Sequence, residues 1–278
     1  MDTQLKMIDD LAGLAGILPL LLLPLEFWRL HKAKALGKRT WLEVLANLSP
    51  IIPVIATTGM VTAFVVWLFS SASNFAIAQL PINIWTILAA IILADFMYYW
   101  DHRLGHRVRL LWAVSHSVHH SSPLYNQTTA LRISFVDGFI SPWYYLPIVL
   151  LGFNPFLVAA AFGVVLAYQQ WIHTETIGKL GWFDLIFNSP SNHRVHHATQ
   201  EQYLDKNYGG IFMIWDHLFG TYEPEGDPVS YGLVHQIDSV NPVMVHCAEA
   251  IRFVKKFVTL TTWKQRLTYM FKAPDVVV

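Results

Sequence analysis

Residues 102–120 read HRLGHRVRLLWAVSHSVHH, a stretch in which histidines recur at helical spacing. It holds one H-x-x-x-H run and one H-x-x-H-H run, and a second H-x-x-H-H run occupies residues 193–197. On a helix, residues three and four apart share a face, so each run directs its imidazoles to one point. Neutral imidazole binds iron, zinc, copper and nickel. Three such runs supply enough ligands for two metal ions. The predicted ligands are His102, His106, His116, His119, His120, His193, His196 and His197.

The composition indicates a membrane protein. Of the 278 residues, 54% are hydrophobic and only 14% are charged, whereas soluble domains carry nearer a quarter of charged residues. The formal net charge of zero argues against nucleic acid as a partner. Cys247 is the one cysteine, which excludes an intrachain disulfide framework and cysteine-rich iron–sulfur ligation. Imidazole is therefore the main soft ligand that this chain offers.

Three apolar segments near the start of the chain approach the length of a membrane crossing. They are Leu11–Leu30, Leu48–Phe69 and Ile82–Trp100, each close to the ~20 residues that cross a ~30 Å hydrocarbon core. The first segment is also compatible with a signal peptide. Because no basic region precedes it and no small-residue cleavage site follows it, a spanning helix is favoured.

A further apolar pair consists of Phe139–Gly152 and Phe156–Ile172, separated by the turn signal Asn154-Pro155. The first member has about fourteen residues, or roughly 21 Å of helix. Two spans and a shallow re-entrant hairpin therefore both stay open. In either arrangement the chain enters and leaves on one face. The histidines before the pair and those after it are then on the same side.

The charges of the loops predict which side this is. Ser70–Pro81 has no charged residue, whereas the loop between the first two spans is basic. The positive-inside bias places the basic loop, and with it the histidines, in the cytoplasm. The basic residues are Arg29, Lys32, Lys34, Lys38 and Arg39. From Asp184 onward the chain is mostly polar and aromatic and is predicted to form a cytoplasmic cap. Ile251–Lys272 is compatible with an amphipathic helix on the membrane surface and equally with a packed helix that has a basic face.

The predicted fold is all-α: a polytopic membrane helix bundle with a cytoplasmic histidine-rich cap. It has about four spans, or three spans plus a re-entrant hairpin. Residues 1–278 are predicted to form a single integral-membrane domain. Within it, the catalytic region covers about 90–225 and an amphipathic tail covers about 248–278.

Other residues near the histidine runs are assigned roles. His173 emerges on the same side as the runs and is predicted to be a ninth ligand. Asp95 lies about two helical turns before His102 and is predicted to hold a ligand histidine through its second ring nitrogen. A buried partner elsewhere in the bundle is the alternative for Asp95. Glu175 is a weak candidate for bridging metals or shuttling protons, and a solvated acid is the better interpretation. The isolated histidines His31, His217, His235 and His246 are interpreted as ordinary residues.

The order of the three runs resembles the fatty acid hydroxylase and sterol desaturase superfamily of membrane di-iron enzymes. Residues 95–103, which read DFMYYWDHR, also resemble that superfamily. So do the segments Asn207-Tyr208-Gly209, Trp215-Asp216 and Phe219-Gly220-Thr221. Several further runs resemble the alkylglycerol monooxygenase branch. They are HHSS at 119–122, YN at 125–126, TALR at 129–132, WIHTE at 171–175 and DKNY at 205–208.

The resemblance implies an O2-dependent monooxygenase that hydroxylates a C–H bond of a lipid, namely an alkylglycerol ether, a fatty acyl chain or a sterol-like molecule. It implies two iron ions on the nine histidines. Gln169 and Asn207 are expected close to them; some relatives have a second histidine at the position of Gln169. Because imidazole sites accept zinc at least as well as ferrous iron, zinc is a possible occupant of these positions in recombinant protein.

The electron source is expected to be external. The chain lacks a His-Pro-Gly-Gly run of a fused haem domain, so electrons are expected from a separate donor, with a tetrahydropterin as one option by resemblance. The expected partners are thus the membrane, a lipid, O2 and this donor. Two alternatives stay open: a desaturase on the same metal site, and a non-catalytic metal-binding membrane protein. Ligands outside the apolar spans argue against a metal transporter.

Overall fold

The computed structural model describes residues 21–274, and within this range the chain is helical and has no strand. The predicted all-α class is confirmed. The longer helices are α1 (residues 21–32), α2 (Lys38–Leu48), α3 (Ile51–Ser73), α4 (Ile84–Arg107), α5 (Pro155–Trp171), α6 (Pro190–His196), α7 (Ile214–Phe219), α8 (Pro242–Thr259) and α9 (Trp263–Phe271). Shorter α-helical turns are Arg109–Leu111, Ser117–His120, Asp137–Ile140, Leu146–Leu150 and Trp182–Ile186. A π-helical turn covers Trp112–His116, and 3₁₀ turns cover Thr129–Leu131, Ser141–Tyr145 and Glu201–Tyr203.

Two described stretches are long and apolar enough to cross a membrane. They are Lys38–Ser73, which joins α2 and α3, and Ile84–Arg107, which is α4. Only 6% and 28% of their apolar windows are buried inside the protein. Apolar surface on this scale is unfavourable in water and suits contact with lipid, which supports a membrane protein. The predicted span Leu11–Leu30 lies partly outside the described residues.

Helix α4 is the candidate span that carries the first two histidines. Asn83 caps its first turn, because the side-chain oxygen accepts hydrogen bonds from the backbone N–H groups of Trp85 and Thr86 at 3.0 and 3.1 Å. The helix does not end with the apolar segment at Trp100 but continues to Arg107. His102 and His106 therefore lie on the last turns of this candidate spanning helix itself, rather than after it.

Of the predicted apolar pair after residue 138, only the second member forms one continuous helix. Its second member is α5, which Asn154 caps. The first member is broken into short turns around Pro142 and Pro147, because proline lacks the N–H group that a continuous helix needs. The 17 residues of α5 extend about 25 Å, less than a ~30 Å hydrocarbon core. The number of full spans therefore stays a prediction.

The main apolar core lies where α4 packs against α5. Small residues on both helices, such as Ala90 and Ala94 on α4 and Ala161 on α5, are fully buried there. Small side chains let two helix backbones approach closely, which is the usual packing in membrane bundles. This contact fixes the end of α4, with its histidines, beside the end of α5.

The predicted C-terminal tail forms two helices rather than one. Helix α8 buries Val245, Ala248 and Phe253 and packs against the π-helical turn Trp112–His116. Helix α9 buries none of its residues. Of the two interpretations of this segment, a packed helix describes α8. Binding of α9 to a membrane surface stays a prediction.

Candidate metal centre

All nine predicted ligands converge in the structure, although they come from four separate parts of the chain. They form two groups in which the candidate ligand atoms lie within 4.8 Å of one another. The five-histidine group contains His102, His106, His116, His120 and His196. The four-histidine group contains His119, His173, His193 and His197. Within the described residues, no other histidine, cysteine or acidic residue joins either group.

The histidine runs do not map onto the groups one by one. Adjacent residues on a helix point about 100° apart, so neighbouring histidines diverge. His119 and His120 are adjacent, yet His119 faces the four-histidine group and His120 faces the five-histidine group. His196 and His197 divide in the same way. The two H-x-x-H-H runs therefore tie the two groups together.

The ring nitrogens facing each other lie at ligand-to-ligand distances. In the five-histidine group, the Nε2 atom of His116 lies 3.0 Å from that of His102 and 3.2 Å from that of His120. The Nε2 atoms of His120 and His196 are 3.0 Å apart. In the four-histidine group, the Nε2 atom of His173 lies 3.1 Å from that of His119 and 2.9 Å from that of His193. The Nε2 atoms of His193 and His197 are 3.2 Å apart. The Nε2 atom of His106 is buried and has no hydrogen-bond partner among residues 21–274.

Backbone carbonyls fix the tautomer of several of these rings. The Nδ1–H groups of His102 and His196 donate to the carbonyls of Tyr208 and Lys206, both at 2.9 Å. A carbonyl only accepts, so Nδ1 carries the proton and Nε2 keeps a lone pair. This is how proteins usually orient metal-binding histidines.

The four-histidine group fits a cation, because backbone carbonyls fix the tautomer of its rings as well. His173 Nδ1–H donates to the carbonyl of Gln169 at 2.8 Å, and His119 Nδ1–H donates to that of Arg132 at 3.3 Å. The Nε2 lone pairs of His119 and His173 then face each other at 3.1 Å. No hydrogen bond can form between two lone pairs. A shared metal ion removes this repulsion, and neutral imidazoles are its natural ligands.

Burial keeps the rings neutral. Burial of its ring lowers the pKa of His119 to about 4. Burial also lowers the pKa of the other histidines outside α4 well below the usual value. These are His116, His120, His173, His193, His196 and His197. At neutral pH these rings are in the metal-binding form.

Two buried carboxylates hold the loop that carries the Tyr208 carbonyl. Asp216 accepts from the N–H groups of Tyr208 and Gly209 at 2.8 and 2.7 Å. Asp95 accepts from the N–H groups of Ile211 and Phe212 and from the indole N–H of Trp215 at 2.5, 3.1 and 2.8 Å. The two acids thus clamp the backbone on either side of Gly210.

The predicted contact of Asp95 with a histidine ring is therefore wrong, and the alternative of another buried partner is correct. The second ring nitrogen of His102 is already occupied by the Tyr208 carbonyl. Asp95 acts on the loop that presents this carbonyl. A glycine is required at 210, because an added Cβ would lie 2.4 Å from an oxygen of Asp95 and 2.8 Å from Val165. Asp216 lies in one of the segments that resemble the superfamily, but the sequence alone did not predict its hydrogen-bond partners.

Gln169 and Asn207 stand beside the ligands without joining either group. The side-chain N–H of Gln169 donates to the carbonyl of Gly210 at 2.5 Å, while its Oε1 is buried without a partner. Asn207 has a left-handed backbone, with φ 58°. Its amide donates to the carbonyls of Asn192 and Glu223 at 3.1 and 2.8 Å, which ties the loop to helix α6.

The weaker candidates lie outside the groups. Glu175 accepts a hydrogen bond from the hydroxyl of Tyr231 at 3.0 Å and is absent from both groups. The ring of His217 donates to the carbonyl of Leu185 at 2.9 Å. His31, His235 and His246 are also absent from both groups.

A cavity of about 390 Å³ reaches both groups from the side of the spans. Its walls are mostly apolar and come from α3, α4, α5 and the segment before Pro142. Val61 on α3 and Leu166 on α5 are examples, while Asp101, Ser115 and Asp137 add polar atoms near the histidines. The cavity is suited to an apolar chain that ends at the metal-binding groups.

Comparison with known proteins agrees with this arrangement. Residues 87–221 match the family model described as fatty acid hydroxylase. The chain is 38% identical over 224 residues to an alkylglycerol monooxygenase of Xenopus tropicalis, covering 80% of this chain and 49% of that protein. It is 40% identical over 202 residues to the alkylglycerol monooxygenase of Homo sapiens, covering 72% and 45%.

A bacterial relative is more distant. The ornithine lipid hydroxylase OlsE of Rhizobium tropici is 34% identical over 160 residues, covering 57% of this chain and 47% of that protein. The chain spans about half the length of these relatives. No solved structure matches the chain. All nine clustered histidines lie within the matched residues 87–221. Residues 87–221 of this chain therefore form a domain of the fatty acid hydroxylase family.

Proposed function

We propose that this protein is a membrane di-iron monooxygenase that uses O2 to hydroxylate a C–H bond of a lipid. The ether-bearing carbon of an alkylglycerol is the favoured position, because the alkylglycerol monooxygenases are among its most similar relatives. Fatty acyl and sterol-like lipids are the other candidate substrates. The observation that carries the proposal is the convergence of nine buried or partly buried imidazoles in two groups beside an apolar cavity.

The nine histidines are proposed to hold two iron ions, one in each group. Bound iron would supply the activation of O2 and the removal of hydrogen from the substrate carbon. The contribution of the chain is to orient the ligands through Nδ1 hydrogen bonds to backbone carbonyls. Asp95 and Asp216 keep the Tyr208 carbonyl in place for His102. Zinc fits the same ligands and would occupy them without redox activity.

The lipid is proposed to enter the apolar cavity between α3, α4 and α5. Side chains of α3 such as Val54, Val61 and Val65 would contact the alkyl chain. Asp137, whose carboxylate accepts a hydrogen bond from the hydroxyl of Ser115, lies at the polar end of the cavity and suits the hydroxyl groups of a lipid head. Closure of the walls around the chain would exclude water from the reacting carbon.

The protein is proposed to cross the membrane several times with the histidine groups on the cytoplasmic side. Support comes from the basic loop around Lys32 to Arg39 and the uncharged segment Ser70–Pro81. The catalytic region of about 90–225 and the C-terminal segment of about 248–278 belong to one integral-membrane unit in this proposal.

Two other functions differ in their products. A desaturase on the same ligands would remove two hydrogens and add no oxygen to the lipid. A non-catalytic metal-binding protein would consume no O2. The apolar cavity that reaches both groups favours an enzyme over a metal-binding protein.

The test uses the full chain in lipid nanodiscs, loaded anaerobically with ferrous iron. A 1-O-alkylglycerol and the matching 1-O-acylglycerol are supplied under 18O2 with a chemical reductant, and the products are trapped before they exchange oxygen with water. We expect 18O in the aldehyde released from the ether and none from His196→Ala. A product two hydrogens lighter without 18O would identify a desaturase. Absence of O2 consumption with ether, acyl and sterol lipids by iron-loaded protein would refute the proposal.

A further inference from the structure

Two short stretches in and next to the predicted cytoplasmic cap expose large apolar side chains. Residues 182–187 read WFDLIF, and residues 211–219 read IFMIWDHLF. Five large apolar residues of these stretches are between 48% and 69% exposed. We call this surface the outer patch, and it consists of Trp182, Leu185, Ile186, Ile214 and Leu218.

The two stretches lie side by side, so the outer patch is one surface. The backbone N–H of Met213 donates to the carbonyl of Ile186 at 2.9 Å. The ring of His217 donates to the carbonyl of Leu185, also at 2.9 Å. Helix α7 and the turn Trp182–Ile186 are therefore joined along their length, and their exposed residues face the surroundings together.

The outer patch carries no exposed carboxylate or cation. Asp184 and Asp216 are the acidic residues of the two stretches, and both are buried. Asp184 accepts from the backbone N–H of Leu180 at 2.7 Å, and Asp216 accepts from the loop before α7 as described above. His217 is the one exposed residue of these stretches that is not apolar. A water-exposed cap has the opposite arrangement, with its charges outward and its large apolar residues inward.

Contacts with α4 fix the depth of this surface. The ring of Trp215 on α7 is 4.9 Å from that of Phe96, and the ring of Phe219 is 5.1 Å from that of Trp100. Trp100 is the last residue of the apolar segment that is predicted to cross the membrane. Phe96 lies four residues further in, or about 6 Å along the helix axis. Helix α7 is therefore level with the end of the apolar segment rather than beyond it.

We propose that the outer patch is inserted into the leaflet that receives the end of α4, where it contacts phospholipid acyl chains just below the headgroups. This placement rests on the proposed membrane crossing of α4 and does not depend on the proposed reaction. Moving exposed apolar side chains from water into lipid is favourable, and tryptophan residues such as Trp182 are common at this level of a membrane. A water-soluble partner protein cannot reach a surface at this depth.

The outer patch and the metal centre share one segment of chain. Helix α7 presents Ile214 and Leu218 to the outside, while Asp216 on the same helix accepts from the backbone N–H of Tyr208 at 2.8 Å. The carbonyl of Tyr208 in turn accepts from the ring of His102. Lipid packed against α7 would therefore help to hold the carbonyl that orients a candidate metal ligand.

The test measures which quencher reaches a label on the outer patch. Because Cys247 is the one cysteine of the chain, single cysteines are introduced in a Cys247→Ser background and labelled with bimane. Leu218→Cys and Trp182→Cys report on the patch, Ile92→Cys on the exposed side of α4, and Glu201→Cys on an exposed polar turn outside the patch. The full chain, loaded with zinc, is reconstituted in nanodiscs of phosphatidylcholine brominated near the carbonyl ends or near the middle of its acyl chains. Bound zinc confirms that each variant is folded.

The two positions of bromine distinguish the depths. The patch labels lie within about 6 Å of the end of the apolar segment, so they should lose roughly half of their fluorescence to bromine near the carbonyl ends and less to bromine at mid-chain. The label at position 92 should respond more strongly to mid-chain bromine. The label at position 201 should respond only to iodide in the water.

The placement is overturned if the folded patch variants respond only to iodide, or if no quencher reaches them because another protein surface covers the patch. Absence of quenching by either lipid at position 92 would instead refute the proposed membrane crossing of α4.

A second pair of variants tests the link to the metal centre. Leu218→Glu puts a carboxylate into the lipid, and the loss of zinc to a chelator in nanodiscs should become about tenfold faster, as is common when the support of a metal ligand is disturbed. Leu218→Met keeps an apolar side chain and should lose zinc as slowly as the unaltered protein. Equal rates for all three proteins would overturn the link.

Discussion

Arg132 offers a demanding test of how the four-histidine group is held. Its side chain is 1% exposed, and Glu43 on α2, at 3.7 Å, is 5% exposed. The guanidinium also donates to the hydroxyl of Ser121 at 2.9 Å and to the amide oxygen of Asn47 at 3.0 Å. The backbone carbonyl of Arg132 accepts from His119. The residue therefore joins α2 to a candidate metal ligand.

Replacing Arg132 with methionine leaves Ser121 and Asn47 without this donor, and Glu43 keeps only the largely exposed Arg39 as its cation. Removal of one member of a buried ion pair costs about 3 to 5 kcal/mol, which corresponds to a fall of roughly 10 °C in the unfolding midpoint. The double variant Arg132→Met/Glu43→Leu removes both charges. It should be less destabilised than the sum of the two single variants by about 2 kcal/mol, because no uncompensated charge stays buried.

The assay is thermal unfolding in detergent, followed by intrinsic fluorescence, with metal content measured on the same samples below the transition. We expect Arg132→Met to lose metal from the four-histidine group first, because the carbonyl that orients His119 is no longer fixed. Lys264→Met on the exposed helix α9 is the control and should change neither quantity. Unfolding of Arg132→Met within about 1 kcal/mol of the unaltered protein would contradict the reasoning.

Three other predictions concern the loop, an ion pair and the apolar cavity. Gly210→Ala should lower the free energy of unfolding by about 1 to 3 kcal/mol through overpacking, and metal titrations should show weaker binding. Gly163→Ala is the control, because an added Cβ there meets nothing within 4 Å, and it should change the free energy of unfolding by less than about 1 kcal/mol. Partial burial raises the pKa of Glu225, but hydrogen bonds from the guanidinium of Arg194 on α6 outweigh this and lower it. The ionised Glu225 therefore stabilises the fold at pH values above the ordinary pKa of glutamate, and this stabilisation is lost as the pH falls through the lowered pKa of the folded state. Denaturant titrations should show Glu225→Gln less stable than the unaltered protein at pH 7 and equally stable in acid. Leu166→Trp should raise the KM for the alkylglycerol about tenfold at unchanged iron content, and Leu151→Trp, exposed outside the cavity, should not.

The nine candidate ligands were accessible from the sequence because local geometry brings most of them together. Spacing of four residues puts His102 with His106, His116 with His120, and His193 with His197 in the same group. Histidines three residues apart, such as His116 and His119, fall in different groups. The position of His173 followed from the hairpin that returns the chain to the same side. The division into two groups was not accessible. It depends on the roughly 100° between neighbours such as His119 and His120 and on which helix each one faces.

The partners of the buried acids also lay beyond the sequence. Asp95 has the correct helical position to face His102, yet its oxygens bind the backbone of a loop more than a hundred residues away. No local pattern encodes such a contact. The break in the segment before residue 152 was more accessible, since Pro142 and Pro147 mark where a continuous helix cannot form. The span count depends on the bilayer as well as on helix length.

The central claim is that the two histidine groups each hold one iron ion. Crystals or well-ordered particles of the full chain, prepared anaerobically with ferrous iron, allow anomalous or elemental mapping of the metal. The account predicts two iron positions per chain, one among His102, His106, His116, His120 and His196 and the other among His119, His173, His193 and His197. A single iron position, or none within these rings, would contradict it.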